Sequence, residues 1–107
     1  MADAPYTKIA RSLLALSTEA LEEAAEPLTA DRRAHFVGRI ESLEPAPARH
    51  RVGYTSRESQ LAYAVARSLF HLARCLLVDG ARPMSDEQRD DYRAEIRRLG
   101  AALGSCK

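Results

Sequence analysis

The chain has 107 residues, 46% hydrophobic and 29% charged, with five Gly and five Pro. This is the length of one domain, and the composition excludes a disordered or fibrous chain. Sixteen basic residues against fifteen acidic ones leave a formal charge of +1, so no net field draws the chain to nucleic acid or an anionic membrane. No 18-residue apolar stretch is evident as a membrane span, and the start around Asp3 lacks the basic-then-apolar order of a secretory signal. The expectation is a single cytoplasmic domain over residues 1–107, and the 14 Arg, 2 Lys and 19 Ala point to a GC-rich bacterial genome.

Helix one is predicted from Asp3 or Ala4 to Glu26, where Pro27 stops it. Ile9, Leu13, Leu16 and Ala20 form one apolar row, and Ala10, Leu14, Leu21 and Ala25 form a second beside it, enough for two neighbours. Glu19, Glu22, Glu23 and Glu26 crowd the end of this helix. Carboxylates there oppose the macrodipole, which predicts basic groups nearby, Arg32 and Arg33 among them, or a partner's. Helix two follows a tight turn, capped by Thr29 and stopped by Pro45, with Phe36, Val37, Ile40 and Leu43 at helical spacing. The short connection makes helices one and two an antiparallel hairpin.

From Glu44 to Tyr54 periodicity is lost, and this is the longest predicted loop. Helix three runs from Thr55, in a capping box with Glu58, to Asp79-Gly80, with Gly80 expected in the left-handed conformation that ends many helices. Its apolar arc is broad, roughly 200°, with Leu61, Val65, Leu69, Leu72 and Leu76 as one row and Gln60, Arg67, Ser68, His71 and Arg74 on the wet side. Helix four begins with a second box, Ser85 with Gln88, and buries Tyr92, Ile96, Leu99 and Leu103. The fold class is all-α, four helices of about 22, 14, 23 and 17 residues: a hairpin, a long loop, a long central helix and a C-terminal helix.

Little in the chain carries chemistry. His35, His50 and His71 lack the spacing of a metal site, and the helix-one carboxylates lack the Glu-x-x-His partners of di-metal bundles. Cys75 reads as a small core residue and Cys106 as an exposed thiol near the chain end, with no disulfide framework. Glycine-rich phosphate loops and nucleophile arrangements are absent from the sequence, so no enzyme, cofactor or metal is expected. Arg49-His50-Arg51 with Tyr54 is too small a basic footprint for nucleic-acid binding.

The remaining feature is the width of helix three. Tyr63, Phe70 and Leu77 recur every seven residues, with Arg67 and Arg74 four residues after each aromatic, and Tyr and Arg are enriched in binding hot spots. Either helix one covers this stripe as an internal core edge, or a second molecule does, with Ala62, Ala66 and Ala73 permitting close helix approach. The expected partner-binding residues are Tyr63, Arg67, Phe70, Arg74 and Leu77, supported by Ile9, Leu13 and Leu16. A homodimer through the second apolar row of helix one or helix three is also expected.

The all-helical plan, and the succession from Arg49-His50-Arg51-Val52-Gly53-Tyr54 into the long Ser59 to Val78 helix, resemble small bacterial quorum-sensing anti-activators of the TraM and QslA kind, over about half the chain. That resemblance implies a dimeric, non-enzymatic protein that inhibits a LuxR-type transcription activator by binding it. Antitoxins, phage-encoded inhibitors and secretion chaperones share these features. An alternative of another class is a small-molecule-binding bundle with a cavity lined by Tyr63, Phe70 and Tyr92.

Overall fold

The computed structural model describes residues 5–45 and 57–104 and contains four helices, α1 (Pro5–Glu23), α2 (Ala30–Glu41), α3 (Arg57–Asp79) and α4 (Asp86–Gly104), with no strand among the described residues. The all-α, four-helix reading holds. Both hairpin helices end a few residues before their prolines. Ala25 and Glu26 donate to Glu22 and Glu23, and Leu43 and Glu44 donate to Ile40 and Glu41, so the last turns tighten into i to i+3 bonds as the chain turns away. The Thr29 hydroxyl accepts from the Arg32 N–H at 3.2 Å, and the Ser85 box is reciprocal, with Gln88 N to Ser85 Oγ at 3.1 Å and Ser85 N to Gln88 Oε1 at 3.2 Å. The predicted Thr55 box and most of the long loop, with Arg49, His50, Arg51 and Tyr54, lie outside the described residues.

α1 and α3 form the central pair and run parallel. Near their starts, the Tyr6 and Tyr63 rings meet edge to face at 4.9 Å; past their ends, the Gly80 carbonyl accepts from the Leu28 N–H at 2.8 Å. Between these two contacts run Tyr6, Ala10, Leu13, Ser17 and Ala20 on α1 with Ala24 just past its end, and Ala62, Ala66, Leu69, Ala73 and Leu76 on α3 with Gly80 just past its end, all buried. Alternating steps of three and four keep one edge of each helix on the other, and the small residues let the backbones close up. Ser17 lies in this line with its Oγ buried and unpartnered among the described residues. α2 runs back along α1 and packs on α3, and α4 packs on both α1 and α3, while α2 and α4 do not pack on each other. Phe36 and Ile40 from α2, and Ile96, Leu99 and Leu103 from α4, complete the core, each adding about 1.5–3 kcal/mol of burial.

Three expectations are corrected. Gly80 does not adopt a left-handed conformation, since no described glycine has positive φ; it continues the helix, donating to the Leu76 carbonyl at 2.7 Å. Its lack of a side chain serves the crossing instead, because a Cβ there would meet the Leu76 carbonyl at 3.0 Å, Leu28 Cδ1 at 3.1 Å and Ala24 Cβ at 3.4 Å. Cys75 is exposed rather than in the core, since the α3 side facing α1 is centred on the alanine line and Cys75 lies on the far side of the helix. Finally, Gln60–Asp79 does have the length and composition of a membrane span, with mean hydropathy 1.4. Of that span 44% is buried inside the fold, as the central helix of a bundle is.

Candidate functional site

The sequence-predicted binding residues divide into buried and exposed sets. Leu13, Leu16, Phe70 and Leu77 are buried within the chain's own core, and Ile9 and Tyr63 are half-buried. The internal-core alternative therefore describes most of the apolar members. Arg67 and Arg74 are exposed, and each is held by the aromatic four residues before it. Arg67 Nη1 donates to the Tyr63 hydroxyl at 3.2 Å, with its guanidinium 5.8 Å from the ring centroid, and the Arg74 guanidinium lies 5.6 Å from the Phe70 centroid. These contacts stiffen both side chains on the surface without neutralising them.

Neither guanidinium has a carboxylate partner among the described residues, whereas Arg32, Arg93 and Arg98 all do. The Arg32 pair answers the carboxylate crowding at the end of α1. Arg32 Nε and Nη2 donate to Glu23 Oε1 and Oε2 at 2.9 and 2.7 Å, and this fork holds the Glu23 carboxyl below its ordinary range. Arg32 also lies 5.3 Å from the Phe36 ring centroid, so it ties the hairpin ends together and is not free for a ligand.

Beside Arg74 opens a groove of about 630 Å³ over the C-terminal half of α3. Its floor is His71, Cys75 and Val78, one wall is Arg33, Val37 and Glu41 of α2, and the opposite side is Tyr92 of α4 with Asp79. The opening exists because α2 and α4 do not meet over this side of α3. Val78 is 67% exposed, and Nε of Arg33 is buried with no hydrogen-bond acceptor among the described residues. The Tyr92 hydroxyl donates to Asp79 Oδ2. Burial, with that bond second, pushes the hydroxyl above its ordinary value, so it stays a donor that occupies Asp79.

Sequence reasoning missed the groove floor as the end of a longer edge. Leu61, Ala64, Ser68, His71, Cys75 and Val78 recur at steps of three and four and are all exposed, with Leu61 at 41%. The same spacing marks a helix-packing seam, and that signal was present in the sequence. Of the rings named for the small-molecule alternative, Tyr63 meets Tyr6, Phe70 is buried in the core and Tyr92 borders the groove. No group of three His, Cys, Asp or Glu side chains converges among the described residues. Comparisons with family models, curated proteins and solved structures gave no match to this chain.

Proposed function

We propose that this chain is a non-enzymatic regulator that binds a partner protein and inhibits it by occupying its surface. The supporting observation is the outward side of α3, where an exposed uncharged edge leads into an open groove flanked by Arg33 and Arg74. Such a face offers apolar contact and directed charge, which suits protein recognition. The resemblance to quorum-sensing anti-activators makes a LuxR-type transcription activator the partner class of this reading, in a bacterial cytoplasm. Self-association to a homodimer is the competing use of the same face.

Purification of the tagged full chain from its native host tests this. A stoichiometric protein partner retained by the parent and lost by a folded Arg67→Glu variant is the expected result. Added salt should weaken this complex modestly, whereas nucleic acid would dissociate steeply. Recovery of the parent alone, or of a small ligand in place of protein, would contradict the proposal.

A further inference from the structure

The outward edge of α3 is a helix-packing seam complete on this side. From Leu61 to Val78 it spans about 25 Å at 1.5 Å per residue, long enough for nearly five turns of another helix. None of its six residues is an acid, Lys or Arg, although 29% of the chain is charged. One flank is formed by Gln60, Arg67 and Arg74, the positions at which coiled helices choose partners by charge. The other is Val65, Leu72 and Asp79; Val65 is buried, Leu72 half-buried, and Asp79 already accepts from Tyr92. The charge open to an incoming helix is thus predominantly basic, with Arg67 and Arg74 on α3 and Arg33 across the groove set against the single Glu41 carboxylate of the α2 wall.

We infer that this seam docks an amphipathic helix of a partner protein that carries a row of acidic residues beside its apolar seam. The inference rests on the protein-binding reading above and names the partner's chemistry. The apolar side of the incoming helix covers Leu61 and Val78, and its carboxylates meet the exposed Arg67 and Arg74 guanidinium groups in forked, charge-assisted bonds. A second copy suits the face less well. Antiparallel self-pairing matches Leu61 with Val78 and Ala64 with Cys75 of the other copy, but sets Arg67 against Arg74 twice. Parallel pairing sets Arg67 over Leu72 and needs the Asp79 carboxylate that Tyr92 holds.

The test uses two fluorescent three-heptad peptides with identical Leu and Ala seams, one with Glu and one with Lys at the flanking positions, titrated with the full chain. The Glu peptide should bind at least about tenfold more tightly, a difference of about 1.4 kcal/mol. Arg67→Glu with Arg74→Glu should reverse the preference, and Val78→Arg should weaken both peptides while helicity stays at the parent level. Should the double Glu variant lose helicity, Arg67→Gln with Arg74→Gln should abolish the preference instead. No binding of either peptide, or equal binding of both, overturns the inference, as does a peptide-free dimer that Val78→Arg dissociates. These outcomes separate from failure of the functional reading: a native partner retained by the double variant sinks the seam alone, and peptide discrimination without any native partner sinks the function alone.

Discussion

Along its inner edge α3 presents Ala62, Ala66, Leu69, Ala73, Leu76 and Gly80 to the core, and along its outer edge Leu61, Ala64, Ser68, His71, Cys75 and Val78 to the outside. Both edges step by three and four residues, and both mix small residues with larger apolar ones. They differ in what covers them. α1 supplies a matching line of small residues for the inner edge, so the two helices approach closely and the seam is dry, whereas α2 and α4 flank the outer edge without closing over it. Periodicity thus identifies where a helix can be packed, and the rest of the chain decides which of those places is filled.

The largest effect is expected on the inner edge. Leu69 is fully buried, and Leu69→Ala should cost about 2–5 kcal/mol in urea unfolding. A loss under about 0.5 kcal/mol, typical of surface sites, would place Leu69 off the inner edge. A sharper contrast uses one substitution on both edges. Ala66→Leu should overpack the inner seam by about 1–3 kcal/mol, while Ala64→Leu on the outer edge should stay within about 0.5 kcal/mol of the parent. Equal effects would mean that the two edges are not differently covered.

The smallest effect belongs to the hairpin end. Arg32 holds the folded-state Glu23 carboxyl below its ordinary value, so its stabilisation is present above the unfolded carboxylate pKa and lost as pH falls through the lowered folded one. The stability gap between the parent and Glu23→Gln should therefore exist at neutral pH and close in acid. A gap that persists unchanged at low pH would assign the effect to packing rather than charge.

Much of the helical plan was legible because its signals are local. Thr29, the Ser85 and Gln88 box and the prolines at 27 and 45 act within a few residues of where they stand, and the Glu23 to Arg32 fork follows from charge crowding at a helix end. The orientation of α3 was less legible. Leu ranks above Ala in hydrophobicity, so the row through Leu61 and Leu72 reads as part of the buried arc. Close approach of a parallel helix instead requires alanine and glycine at the contact, which turns Leu61, Cys75 and Val78 outward and Phe70 and Leu77 inward. Gly80 was misread for a related reason, since its sequence position fits a helix stop and its need for space comes from Leu28 and Ala24, more than fifty residues away. The groove depends on two helices failing to meet, which no local pattern encodes.

The Cys75 thiol reports whether the outer edge of α3 is open in the isolated protein. In a Cys106→Ser chain, titration with an aromatic disulfide reagent under native conditions reads Cys75 alone. One thiol per chain should react promptly, at a rate close to that in denaturant and independent of protein concentration. A thiol protected until the protein unfolds, or increasingly protected as concentration rises, would show that the chain itself or a second copy already covers this edge.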